Sequence, residues 1–553
     1  MIDSLPGDVP SVLRSIRAAN DGERDLPALT VYRGRAKVGG FSRGELAREV
    51  GALGERLGKE HGVRKGDRVA VLSPNRLELP VVLLAVMSLG AVVVPLSPTA
   101  SAEEWKAILD HSGARCLISA LPALPANRPG AARDEPHDLG AGLERLLAMD
   151  ALGIGRAPDR ASNGREALAA HAAEAASLGD QPAILLYTSG TTGEPKGVLL
   201  THGNIVSNAA AMVRRFGLDH TTQLAVLPLH HAHAFGFGLM TSLLSAGHLV
   251  LAEAFDPIAF GAMVAEERVA IASVVPSLVP LLVKARLHQK RVPTLKQILV
   301  SSAPLRVEVG RELEERTGIR LAHGWGLSEY TNFACALPYG DAPSRSELLF
   351  GGEMPSVGTP LEGTEVAVRD AEGHELHAGQ RGELWVRGPG RMVGYYRDEA
   401  ATAACFDGPW LRTGDEGFFV EQGGERFFFI SGRLKEVINR SGEKLSPAAI
   451  ERHLLAFAPK LEGRVAVVGF PHREHGEEVG LYVQRQTGKE GEPLPAAELN
   501  PVMEALGQMP PALRPRAVVV GGTSIPRTAT GKIQRRLLES QFSSLYDVRP
   551  PKG

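Results

Sequence analysis

The chain runs to 553 residues, 44% apolar and 22% charged, with a formal net charge of −2. Such a length implies more than one hydrophobic core, and the near-neutral balance excludes a nucleic-acid binder that works through a basic surface. Three scattered cysteines, Cys116, Cys335 and Cys405, exclude a disulfide framework or a CxxC metal pair and suit a reducing, cytoplasmic setting.

The opening stretch, Met1 to Asp8, has no basic flank followed by an apolar run, so it does not read as a secretory leader. Arg68 to Leu72 predicts a buried strand, Leu77 to Leu89 a helix, and Ala91 to Leu96 a second strand after a turn at Gly90. Val81 to Leu96 is the most membrane-like segment, but it falls short of the ~20 apolar residues of a spanning helix. Ser101 caps a helix reaching Ser112, and Cys116 to Ile118 is the next strand. Strands separated by helices imply parallel sheets covered on both faces. Residues 121–180, rich in Ala, Pro, Gly and Arg, read as a surface excursion with one or two helices.

The alternation resumes with a strand from Ala183 to Tyr187, which runs into Thr188-Ser189-Gly190-Thr191-Thr192-Gly193-Glu194-Pro195-Lys196-Gly197. Glycines allow close backbone approach, the hydroxyls donate, the loop's N–H groups form an anion nest, and Lys196 adds a point charge. The run reads as a phosphate cradle, though its spacing is not that of GxxxxGK[ST]. Leu227-Pro228-Leu229-His230-His231-Ala232-His233 carries three histidines whose spacing suits no familiar zinc site. Further strands are predicted at Leu224 to Leu227, Ile271 to Val275 and Ile298 to Val300. After an apolar strand from Ile319 to Ala322 comes His323-Gly324-Trp325-Gly326-Leu327-Ser328-Glu329. Here an aromatic between glycines can lie flat on a purine, and Glu329 is a hard ligand for Mg²⁺. Taken alone, Trp325 also reads as a core residue.

Around residue 360 the texture turns to short strands and Gly-rich turns: Thr364 to Val368, Gly382 to Arg387, Arg426 to Ile430. An antiparallel, barrel-like portion is expected there, and Gly394-Tyr395-Tyr396 is assigned to its packing and turns. In Thr413-Gly414-Asp415 a carboxylate at a Gly turn can take two ribose hydroxyls, or simply close a turn. A smaller α/β unit follows Gly432, its first helix starting at Ser446-Pro447. Near the end, Thr530-Gly531-Lys532 puts an amine on a loop with reach, while Arg535 and Arg536 read as a solvated helix face.

Together these runs resemble, in order, the signatures of the adenylate-forming superfamily: acyl- and aryl-CoA synthetases, carrier-protein-loading adenylation domains and luciferases. The resemblance spans about residues 25–540 and is strongest toward fatty or aryl acid–CoA ligases. It implies an α/β fold: a large N-terminal domain (1–432) of two parallel-type sheets with helices and a small barrel-like subdomain, then a small mobile α+β domain (433–553). It implies ATP, Mg²⁺ and coenzyme A acting on a small-molecule carboxylic acid. Thr188, Ser189, Gly190, Thr191, Thr192, Gly193, Lys196 and Ser328 are then expected at the phosphates. Ala303 in Ser301-Ser302-Ala303-Pro304, with Gly324, Trp325 and Gly326, is expected around adenine. Asp415 and Arg433 are expected at the ribose and Glu329 at Mg²⁺. Lys435 is expected as the hinge, His231 as the gate between acyl pocket and thiol tunnel, and Lys532 as the catalytic lysine. Ser441 and Gly442 fall on the thiol side. Many relatives carry lysines where this chain has Asn439 and Ser441, a departure that bears on the CoA contacts and not on adenylation. Pocket walls in Ala232 to Met240, Ser301 to Pro304 and Leu327 to Ala334 imply an apolar acid, with a medium- or long-chain fatty acid favoured. With little chain after Lys532, a carrier protein, the alternative acceptor, would act in trans. The further alternative, a non-catalytic nucleotide-binding protein, sits poorly with intact Lys196, Glu329, Asp415 and Lys532.

Overall fold

The computed structural model describes residues 21–121, 143–155, 178–189, 195–285, 287, 291–338, 343–441, 443–472, 475–486, 496–527 and 532–545. Its first sheet has seven strands. Arg68–Leu72, Val92–Leu96, Cys116–Ser119, Arg145–Ala148 and Pro182–Ser189 run parallel; Pro195–Thr201 and Gly394–Tyr395 add antiparallel strands at one edge. The second sheet has nine strands, with a parallel centre that includes Thr222–Ala225, Ile271–Val274, Gln297–Val300 and Arg320–Gly326. Continuous apolar runs such as Val92–Leu96, buried at every position, are what a strand covered on both faces requires.

Helix Glu78–Ser88 is buried from Leu79 to Ser88, so the segment that most resembled a membrane span is an internal helix followed by the buried strand Val92–Leu96. Gly90, at φ +67, turns the chain into the next strand. The Ser101 hydroxyl accepts from the Glu104 N–H at 3.2 Å and fixes the start of the following helix. One apolar core joins the two sheets, since Val69, Val93 and Ile184 pack in the same cluster as Val250, Ile298 and Leu321. Among the described residues no helix is long and apolar enough to cross a membrane.

A third sheet, antiparallel throughout, holds Glu365–Arg369, Gly382–Arg387, Phe406–Asp407, Trp410–Gln422 and Glu425–Arg433. Beyond it, strands Ile438–Arg440, Glu443–Leu445, Val465–His472, Gly476–Gln484 and Ala517–Gly521 form a separate sheet with its own core around Ile450, Leu454, Val467 and Leu481. Helix Pro447–Phe457 covers that core, capped by Ser446 as its sequence implied.

Three expectations need correction. The stretch 121–180 contributes an edge strand, Arg145–Ala148, parallel to Cys116–Ser119; the helices expected there fall largely outside the described residues. The strand expected to stop at Ala322 runs on through Trp325 to Gly326, because Gly324 and Trp325 pair with Ala336 and Cys335. Gly394–Tyr395 does not belong to the antiparallel sheet: it pairs with Val198 and Leu199 on the edge of the first.

Candidate active site

In parallel sheets, loops at the carboxyl ends of strands form the natural crevice. Strand Pro182–Ser189 delivers the hydroxyl-rich run to such an end. Gly190, Thr191, Thr192 and Gly193 lie outside the described residues, as does the Ser189 side chain. The flanks of the loop are fixed by register, with Thr188 opposite Lys196 on the returning strand. The Lys196 ammonium lies 5.0 Å from the centre of the Tyr395 ring, a cation–π contact. The Tyr395 hydroxyl in turn donates to Glu329 Oε1 at 2.9 Å. Burial and the adjacent Glu329 carboxylate hold the Tyr395 phenol well above its ordinary pKa, so it stays a donor. Lys196, Tyr395 and Glu329 thus form one chain of contacts. Sequence reasoning missed Tyr395, because only the pairing of a two-residue strand brings it there.

Glu329 follows the end of strand Arg320–Gly326. Among the described residues nothing hydrogen-bonds to its Oε2, so a hard carboxylate oxygen remains for a cation. Ser328, half-buried, precedes it. Alternation along the strand explains the glycines. Gly324 and Gly326 share one face, where a Cβ would lie 2.6 Å from the Phe333 ring and 1.7 Å from the Asn332 carbonyl oxygen. Trp325 takes the other face. It is 7% exposed, and its indole N–H donates to Asp415 Oδ2 at 2.8 Å. Asp415 is paired in register with Arg433, whose Nε stands 3.3 Å from Oδ1. Asp415 raises the Arg433 pKa, while the guanidinium side chain stays 44% exposed. Ala303 lies just past the end of strand Gln297–Val300, after Ser302 in a left-handed conformation (φ +74).

The histidines divide by environment. His233 is a buried hub: Nδ1 lies 2.8 Å from Ser302 Oγ and 3.1 Å from Ser301 Oγ, and Nε2 lies 2.6 Å from Ser273 Oγ. Burial drives its pKa down to about 3, so it is neutral. It opens a wide π-helical turn, Ala234–Met240, in which Phe235, Phe237 and Leu239 are buried. Phe237 meets Phe216 and Phe333 edge-on. His230 and His231 have ring centres 4.2 Å apart. Among the described residues neither His230 nitrogen nor His231 Nε2 has a hydrogen-bond partner, although all three atoms are buried. Burial, then the nearby Lys532 charge, lowers the His231 pKa to about 4.

Lys532 comes from the small lobe. Its loop is closed by an antiparallel bridge from Arg527 to Ile533 and by the Gln534 N–H donating to the Pro526 carbonyl at 2.8 Å. Burial, then the Arg433 charge, lowers the Lys532 pKa to about 8, against the pull of Asp415, Glu329 and Glu436. The charges felt at Lys532 thus come from both lobes. Arg535 is no solvated residue. Its guanidinium is 13% exposed, pairs with Glu436 at 3.0 Å and with Glu451, and donates to the Val467 carbonyl at 2.8 Å. The lysine loop is thereby latched to the short helix Leu434–Glu436, which contains Lys435. Ser441 Oγ lies 2.8 Å from His475 Nδ1, and Gly442 is outside the described residues.

A model of the AMP-binding enzyme family matches residues 16–396. The chain is 31% identical over 498 residues to probable CoA ligase CCL9 of Humulus lupulus, covering 89% of this chain and 90% of that protein. It is 32% identical over 501 residues to sulfoacetate–CoA ligase of Cupriavidus necator, covering 89% and 91%. Among solved structures, ATP-bound MatB from Rhodopseudomonas palustris matches with a TM-score of 0.77 at 25% identity, over 98% of this chain and all of that one. With these matches across the cluster just described, the chain belongs to the AMP-binding enzyme family and is an AMP-forming acid–CoA ligase.

Proposed function

We propose that the enzyme activates an acid with an apolar body, fatty or aromatic, by joining its carboxylate to the α-phosphorus of ATP, and then passes the acyl group to coenzyme A. The observation that supports this reading is that Trp325 and Arg433 both reach Asp415 and Lys196 connects through Tyr395 to Glu329, while Lys532 of the small lobe feels the charges of Asp415, Glu329 and Arg433.

In this account the loop after Thr188, with Lys196 and Ser328, holds the phosphates. Trp325 lies against adenine, with Ala303 nearby. Asp415 takes the ribose hydroxyls, and Arg433 bridges ribose and phosphate. Glu329 would hold Mg²⁺, which would supply charge neutralisation on the phosphates. Lys532 stabilises the negative charge that grows as the carboxylate attacks and pyrophosphate leaves. A turn at Lys435 between residues 1–432 and 433–553 then withdraws Lys532 and opens the thiol path past His231 toward the Ser441 side. Being neutral, His231 gates by shape and hydrogen bonding and not by charge. No covalent enzyme intermediate is required; positioning and electrostatics do the work.

An apolar acid accords with the walls. Phe235, Phe237, Leu239 and Phe333 are apolar, and Glu329 is the one charged residue in 232–240, 301–304 and 327–334. The three free cysteines accord with a cytoplasmic location. Pyrophosphate release across a panel of carboxylic acids, followed by thioester formation with CoA, tests the proposal. A strong response from an apolar acid supports it, whereas exclusive use of a small charged acid refutes the assigned substrate class. Efficient transfer to a phosphopantetheine carrier but not to CoA would refute the assigned acceptor.

A further inference from the structure

The Trp325–Asp415 hydrogen bond joins two residues 90 positions apart, both nearly closed to solvent (7% and 9% exposed). Asp415 follows Gly414, which is left-handed at φ +72, and its own N–H donates to Thr413 Oγ1 at 3.1 Å. The backbone is therefore fixed by the turn, but the carboxylate plane is set only by what reaches its two oxygens. Arg433 reaches Oδ1 at 3.3 Å from an exposed position at the end of its strand, immediately before the short helix that carries Lys435. Trp325 reaches Oδ2 from the middle of a hydrogen-bonded ladder in the large lobe. A turn at Lys435 would leave both backbones in their ladders; of the two side chains, Trp325 is the one closed to solvent, 7% exposed against 44% for Arg433.

Among side chains, indole combines a broad apolar face with an N–H at its edge, and that N–H can only donate. A carboxylate has about four lone-pair positions, so one bond from Trp325 still leaves acceptors for two hydroxyls. Resting on the reading of Asp415 as the ribose carboxylate, we infer that Trp325 is a positioning residue for it: the indole N–H sets the carboxylate plane for the ribose hydroxyls. In the proposed function the same ring lies against adenine. One side chain then couples base and sugar recognition and keeps the grip on ribose through both half-reactions.

The test uses the full-length enzyme and acid-dependent pyrophosphate release, comparing ATP with 2′-deoxy-ATP. Wild type is expected to favour ATP in kcat/KM by about tenfold or more, the worth of a hydroxyl bonded to a charged group. Trp325→Phe keeps a ring but loses the donor. Its preference for ATP should shrink roughly fivefold, through a higher KM for ATP with kcat little changed. If Trp325→Phe lowers the melting temperature, 3-benzothienylalanine at position 325 keeps the indole shape with sulfur in place of N–H and should give the same collapse. An unchanged ATP preference in these variants, with KM raised equally for both nucleotides, would reduce Trp325 to stacking and overturn the inference. No preference in wild type would instead overturn the reading of Asp415 on which it rests.

Discussion

The two halves of the site are held in different ways. Lys196, Tyr395, Glu329 and Trp325 stand on or beside sheet strands whose register fixes them, with Thr188 opposite Lys196, Tyr395 opposite Val198 and Trp325 opposite Cys335. Lys532 stands on a loop closed by one bridge and latched through Arg535 to Glu436 and Glu451. Among the described residues, polar contacts from the small lobe to the large one are few, such as Arg306 to Glu462 at 2.6 Å and the Ser446 hydroxyl donating to the Ser431 carbonyl at 3.2 Å. Gly432 packs so tightly on Ser446 that a Cβ there would lie 2.5 Å from its hydroxyl oxygen. On the proposed function, the ATP-binding groups are built into the large lobe, and the group that acts on developing charge is carried by the small one. This arrangement suits an enzyme that must bind ATP throughout but needs its lysine for one step only.

The comparison breaks most sharply at Lys532. Lys532→Ala should slow acid-dependent pyrophosphate formation by about 10³-fold, the upper end for removing one preorganised electrostatic group. Lys435→Pro should spare that reaction and slow thioester formation by about tenfold or more, read by following the two products separately. On the fixed side, Tyr395→Phe removes the donor to Glu329 and should raise the Mg²⁺ concentration for half-maximal activity about tenfold, as loss of a ligand-orienting bond does; an unchanged Mg²⁺ titration would detach Tyr395 from the site.

Lys532 also sets a pH signature. Because burial and Arg433 lower its pKa to about 8, the ammonium is present at pH 7 and is lost as pH rises. The kcat/KM for ATP, which reports the free enzyme, should therefore fall above about pH 8, by roughly tenfold per pH unit. The fall should be absent from whatever activity Lys532→Ala retains. The smallest effect is structural. Arg535→Ala removes the guanidinium shared by Glu436 and Glu451 and should cost the small lobe about 3 kcal/mol, seen as earlier loss of its hydrogen-exchange protection.

Much of this was legible because the chemistry lies in short local runs. Arg68–Leu72 declares itself by an unbroken apolar run, Ser101 and Ser446 by cap position, and the cradle by hydroxyls and glycines behind a buried strand. Glu329, Asp415 and Lys532 each stand out beside glycine or a small hydroxyl residue. What stayed hidden depends on pairing between distant segments. Tyr395 reaches Glu329 only because two residues extend a sheet edge formed some two hundred positions earlier. The bond from Trp325 to Asp415 has no local signature at all. Arg145–Ala148 carries just two strongly apolar residues in an Ala- and Pro-rich stretch, and its neighbour Cys116–Ser119 makes it a strand. Arg535 reads as surface until the carboxylates of Glu436 and Glu451 are folded against it.

A single-turnover assay with pre-made acyl-adenylate and CoA, run on Lys532→Ala, addresses the division of labour most directly. Thioester should form at close to the wild-type rate, since the lysine has no part once pyrophosphate is gone. A loss as deep as that in adenylate formation would contradict it, leaving Lys532 as a support for the whole site and not the agent of one half-reaction.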